Sequence, residues 1–298
     1  MKYYLDTEFL EGKQKEKFPI NLFRKETPET IDLISVGIVA EDGREYYAIS
    51  KDFNLKEAWN RYNLVERKNY ENYPLKERGN ILYKKVYWIR ENVLKPIFCE
   101  LRTRECLEGG KSLYPGVTSL AAHREFTKTL VEASWDNSGG KYKELKRLIN
   151  KYGKTNKQIA EEVKEFVYFV NEDPTVYQFY TEPKFYAYYA DYDWVVFCWL
   201  FGKMINLPKG FPMYCIDLKQ IFDDKMKTFT WERLNELNYP SCKHDVYSYL
   251  RTQSNIDIVK VLKNSSCYPK QTNEHNALAD AKWNKKLHEF LIKINNYE

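Results

Sequence analysis

The stretch IDLISVGIVA at 31–40 runs directly into EDG at 41–43 and REYYAIS at 44–50. The first run is almost wholly apolar and β-branched, as for a strand covered on both faces. EDG is a turn signal, so the second run returns as the partner strand of a hairpin. A sheet buried on both faces needs a layer on each side. Helical patterns at 84–98, 155–170, 191–204 and 276–294 can supply those layers. Strands are also predicted at 2–9 (KYYLDTEF), at 184–190 (KFYAYYA) and at the start of 211–222, which continues as a helix. Three strands, helices, then strand–helix twice, is the order of an α/β fold: a mixed sheet flanked by helices.

Residues 99–155 break this rhythm with Gly109-Gly110, Pro115-Gly116 and Ser138-Gly139-Gly140. Short helical patterns lie near 120–134 and 141–152, so a largely helical inserted subdomain is expected within one domain spanning 1–298. A second variable insertion is expected at 223–272, before the final helix. The first insertion carries Arg102, Arg104, Lys111, His123, Arg124, Lys128, Lys141, Lys143, Lys146 and Arg147. Three roles stay open for it: extending a nucleic-acid channel, guarding a site, or holding a homodimer together. A solvated helical appendage is the plain alternative.

Hydrophobic residues make up 43% of the chain, enough for a core. No apolar run reaches the roughly 18–20 residues that span a bilayer, and no signal-peptide pattern opens the chain. Six cysteines are scattered without a CxxC pair, which indicates neither a zinc ribbon nor a disulfide framework. A soluble protein of the reducing cytoplasm is expected, with no membrane partner. The net charge of +5 permits phosphate partners without demanding them.

Asp6 and Glu8 are two apart on the first strand, so both point to one face. Such a pair can share a divalent cation, although a solvated surface pair reads the same way. Asp193 opens an apolar helix just after a strand. Asp191 lies two residues earlier and reads as an N-cap. In the last helix the apolar residues Ala277, Leu287, Leu291 and Ile294 mark a buried face, and Asp280 falls on it. A carboxylate there is costly unless a partner or a metal offsets it. His275 precedes that helix, either as its cap or as a mobile base beside a fixed ligand.

Taken together, DTEF (6–9), ADYDWVVF (190–197) and HNALADA (275–281) resemble the DEDDh 3′→5′ exonucleases. That superfamily includes RNase T, oligoribonuclease and polymerase proofreading subunits. The wording of YYLDTEFLEG, IDLISVGIVAEDGREYYAIS and YDWVVFCWLFG is similar to the small exoribonuclease branch first known from mycobacteria. The resemblance covers a little under half the chain, at 1–50, 84–98, 155–222 and 273–293. It implies an RNase H-like sheet and 3′→5′ exoribonuclease activity on single-stranded RNA or 3′ overhangs, with nucleoside 5′-monophosphate as product. It implies two Mg²⁺ or Mn²⁺ ions about 3.5–4 Å apart. Asp6 would bridge both ions, Glu8 and Asp280 would complete one site, and Asp193 would hold the other. His275 would be the general base. Around the terminal nucleotide it implies Thr7, Phe9 and Leu10, with Ser35 toward the sugar. A DNA exonuclease of the same chemistry and a weakly active nucleic-acid-binding protein are the rival readings.

Overall fold

A computed structural model describes residues 1–15, 26–66, 83–108, 120–136, 138–168, 182–238 and 257–295. In chain order its elements are β1 (Lys2–Glu11), β2 (Ile31–Ala40), β3 (Glu45–Ile49), α1 (Leu55–Asn60), β4 (Asn63–Glu66) and β5 (Tyr83–Val86). There follow α2 (Lys95–Glu108), α3 (Leu120–Ala133), α4 (Gly139–Tyr152), α5 (Asn156–Val167), β6 (Lys184–Ala187) and α6 (Ala190–Leu200). The last are β7 (Ile216–Asp217), α7 (Leu218–Met226), α8 (Trp231–Asn238), α9 (Ile258–Asn264) and α10 (Ala277–Asn295). Lys111, Cys242 and the glycine pair at 109–110 lie outside the described residues, as does Pro115-Gly116.

Five strands form one sheet in the order β3-β2-β1-β6-β7. β6 runs parallel to β1 and to β7. β2 returns along β1: Gly12 N–H reaches the Thr30 carbonyl at one end, and Glu41 N–H reaches that of Lys2 at the other. The result is α/β with a mixed sheet flanked by helices, an arrangement compatible with the RNase H-like one. No helix among the described residues is long and apolar enough to cross a membrane.

The chain clusters into two compact units, and β1, β2 and β3 each run from one into the other. The first unit holds Met1–Thr7, Val36–Tyr47 and Ala160–Glu298. Strand alternation divides its core between two sheet faces. Tyr3 stacks on Phe185, and Phe185 meets Trp194 and Phe197 of α6. Tyr4 and Tyr186 stack on each other and face His288 of α10. Leu218, Phe222, Leu234, Leu262, Leu287 and Leu291 build this second layer from α7 to α10.

The second unit, Glu8–Ser35 with Ala48–Ile159, contains the helices expected near 120–134 and 141–152. Trp59, Phe98, Trp135 and Tyr142 form its aromatic centre. The stretch 99–155 lies within this unit. Many of its basic residues are paired: Arg102 and Arg147 with Glu105, Arg104 with Glu108, Lys128 with Glu132, and Lys141 with Glu144.

Several expectations need correction. Residues 83–86 are a strand paired antiparallel with 63–66, not the start of a helix. A π turn at Arg90–Leu94 leads into α2, with Lys95 N–H bonded five residues back to Arg90. Pro96 has no N–H to continue the ordinary ladder, which accounts for the wider turn. β6 stops at Ala187, because Tyr189 adopts φ 58° and turns the chain into α6. Tyr189, not Asp191, is therefore the N-cap. Asp191 is exposed in the first turn, where a negative charge suits the helix dipole. Thr155 does cap α5: its hydroxyl accepts from Gln158 N–H and the Gln158 side chain answers Thr155 N–H, a reciprocal capping box.

Candidate metal centre and histidine loop

Successive side chains of β1 point to opposite faces of the sheet. Tyr4 bonds His288 on one side, while Tyr3 stacks toward α6 on the other. Asp6 and Glu8 therefore point toward α10, Glu8 being where β1 passes into the second unit. Asp280, 6% exposed, meets them from the first turn of α10. One carboxylate oxygen each from Asp6, Glu8 and Asp280 lies within 4.8 Å of the others. Carboxylates so close repel unless a proton or a cation intervenes.

Three features bring α10 to this position. A Cβ on Gly37 would sit 2.3 Å from the carbonyl carbon and oxygen of Ala277, so only glycine allows β2 and the helix start to approach this closely. Asn284, one turn after Asp280 and 1% exposed, donates to the Leu5 carbonyl at 2.9 Å. The Asn276 side chain accepts from Ala279 N–H, so Asn276 caps the helix and His275 does not. His275 sits on the preceding loop at φ 65°, half-buried.

Asp193 is placed differently. Its Oδ1 accepts the Thr7 main-chain N–H at 2.9 Å and the Thr7 hydroxyl at 2.6 Å. Thr7 is an odd residue of β1, so Asp193 approaches from the α6 side and is not in the three-carboxylate group. Burial pushes its carboxyl up to about 7, against the Thr7 bonds and with help from Asp280 and Asp217. Asp280 is also raised by burial, against donors from Gln271 and His275. No cation is among the leading influences on Asp193. Hard oxygen donors packed this closely, with burial raising Asp193 and Asp280, fit divalent cations such as Mg²⁺ or Mn²⁺.

The residues expected around a terminal nucleotide lie on the neighbouring strands β1 and β2 and differ in exposure. Thr7 has given both donors to Asp193. Leu10 is fully buried, whereas Phe9 is partly exposed. Ser35, in β2, is 1% exposed, and its hydroxyl has no hydrogen-bond partner among the described residues. Trp194 is core, stacked 5.0 Å from Phe197.

Two positions of consequence escaped the sequence reading. Gly37 carries a signal, since a glycine inside a strand often marks close backbone approach. Gln271 donates from Nε2 to Asp280 Oδ1 at 2.6 Å, and nothing in its surroundings marks it.

No established protein-family model matches this chain. It is similar to curated 3′-5′ exoribonucleases from two strains of Mycobacterium tuberculosis, CDC 1551/Oshkosh and H37Rv. Identity is 45% over 58 residues in both, which is 20% of this chain. The match spans about a quarter (26%) of those relatives' length.

Proposed function

We propose that this chain is a divalent-metal-dependent 3′→5′ exoribonuclease of the DEDDh type on an RNase H-like sheet. It shortens single-stranded RNA or 3′ overhangs and releases nucleoside 5′-monophosphates. The observation that carries the reading is the convergence of Asp6, Glu8 and Asp280, with His275 on the loop that leads into the same helix. The partial likeness to 3′-5′ exoribonucleases supports the same activity.

Asp6, Glu8 and Asp280 would hold the cations, with Asp193 completing the set. When bound, such ions polarise the scissile phosphate and ease deprotonation of water. The side chains orient and move protons. Thr7 fixes the Asp193 carboxylate, and Asn284 and Gly37 fix the height of Asp280 against β1. His275 takes the proton of the attacking water, a role that suits a partly exposed loop side chain. Phe9, which is partly exposed, packs on the terminal base. The described cysteines are free, in keeping with a cytoplasmic enzyme.

Digestion of matched 3′-labelled RNA and DNA oligonucleotides in Mn²⁺ tests the substrate. Faster release of mononucleotide from RNA is expected. Faster release from DNA would favour the DNA exonuclease, and binding without release would favour a nucleic-acid-binding protein.

A further inference from the structure

Gln271 belongs to none of the motifs above, yet it contacts the carboxylate at the centre of the site. Its amide donates to Asp280 Oδ1 at 2.6 Å, while Asp280 Oδ2 accepts the His275 main-chain N–H at 2.8 Å. An ionised carboxylate only accepts, so Gln271 must present its NH₂ group. Both ends of the segment 271–275 are thus tied to one side chain. Where the segment meets the helix, Asn276 N–H returns to the Asn273 carbonyl at 3.2 Å, and Asp280 N–H bonds the Asn276 carbonyl at 2.9 Å. Asn273 and His275 hold positive φ, at 55° and 65°. A histidine in that region is strained, and such strain persists only where the surroundings over-determine it. Here the bond to Asp280 supplies that constraint.

We infer that Gln271 is a positioning residue which, through Asp280, holds the histidine-bearing loop in place and couples cation binding at Asp280 to the location of His275. The inference rests on the proposed exonuclease reading and names a further residue of that site. Each Asp280 oxygen retains acceptor capacity after one hydrogen bond, so a cation can bind without displacing either donor. Without Gln271 the carboxylate is free to turn about its Cβ–Cγ bond. The His275 N–H must then follow it or lose its partner, and the ligand and the base lose their shared geometry together.

The test compares Gln271→Leu and Gln271→Glu with wild type in two assays. One is the Mn²⁺ dependence of the melting temperature without substrate, and the other is kcat and KM on single-stranded RNA against pH. Gln271→Leu is expected to raise the Mn²⁺ midpoint and lower kcat, each by about tenfold or more, with KM within about twofold. Gln271→Glu sets a negative charge against Asp280 at neutral pH and can donate only when protonated. Its activity relative to wild type is therefore expected to rise as pH falls from about 8 to about 5.5. A folded Gln271→Leu variant with wild-type kcat and wild-type Mn²⁺ midpoint overturns the inference. So does a lowered melting temperature as its sole effect. If wild type hydrolyses no RNA, the exonuclease reading fails by itself, and the Mn²⁺ midpoints still decide the coupling. A wild-type melt indifferent to Mn²⁺ overturns the coupling.

Discussion

Thr7 gives both its main-chain N–H and its hydroxyl to a single oxygen of Asp193, at 2.9 and 2.6 Å. Asp6, its neighbour on β1, points to the other sheet face and joins Glu8 and Asp280. One strand thus anchors Asp193 through Thr7 and carries Asp6 and Glu8 toward Asp280, and Asp280 is among the charges that raise the Asp193 carboxyl.

Removing the hydroxyl tests the anchoring of Asp193. Thr7→Val keeps the shape and the main-chain donor. A hydrogen bond to a charged group is worth on the order of 1.5–3 kcal/mol, so the Asp193 carboxyl should rise further above about 7. Activity at pH 7 should fall by roughly tenfold. The pH at which Mn²⁺ binding half-develops should move up, as titration calorimetry across pH 6–8.5 would show. An unchanged binding curve would mean that the hydroxyl does nothing for Asp193.

Cation binding should release protons. Without metal, Asp193 holds its proton below about pH 7 and loses it above. A ligand carboxylate must be ionised, so affinity should rise with pH through that range. Binding at pH 6 should expel about one proton more than binding at pH 8. Calorimetry in buffers of different ionisation enthalpy measures the difference directly. The same cations should stabilise the fold over EDTA by about 2.7 kcal/mol at a hundred times Kd, read as a higher melting temperature.

Gly37→Ala should damage the site from a distance. The added methyl would lie 2.3 Å from main-chain atoms of Ala277, which cannot turn aside as a side chain can. Either β2 or the start of α10 must move, at a cost of about 1–3 kcal/mol. Because Asp280 rides on that first turn, activity per folded molecule should drop as well. A melt and a rate at matched folded fraction separate the two effects.

Acid should loosen the first unit through His288. Burial holds its imidazole down to about 4, whereas in the unfolded chain it titrates near 6.5. Above about pH 6.5 both states are neutral there and nothing is lost. Between about 6.5 and 4 the unfolded chain takes a proton that the folded one refuses, so stability falls as pH falls. Melts at pH 7.5 and 5 should differ less in His288→Gln than in wild type.

The parts of the fold visible in the sequence are those with a strong local period. β2 was legible as an unbroken apolar run, and the buried stripe of α10 was legible from Ala277, Leu287 and Leu291, with Asp280 among them. A strand period of two sufficed to put Asp6 and Glu8 on one face. The ladder between β4 and β5 was not legible, because each strand has four residues, almost all exposed, and so lacks an alternating apolar face. Asp191 looks like a cap by residue type, but the left-handed turn at Tyr189 starts the helix earlier. Gln271 is a polar residue on a loop, and loops carry no periodicity from which a partner nine positions away can be inferred.

The decisive experiment uses 5′-labelled single-stranded RNA with Mn²⁺, comparing wild type with Asp6→Ala. Wild type should yield a ladder that shortens one nucleotide at a time from the 3′ end, with nucleoside 5′-monophosphate as the released product. Asp6→Ala should leave the RNA intact. Full hydrolysis by Asp6→Ala, or cleavage at internal positions by wild type, would contradict the assignment of the Asp6–Glu8–Asp280 cluster as an exonuclease centre.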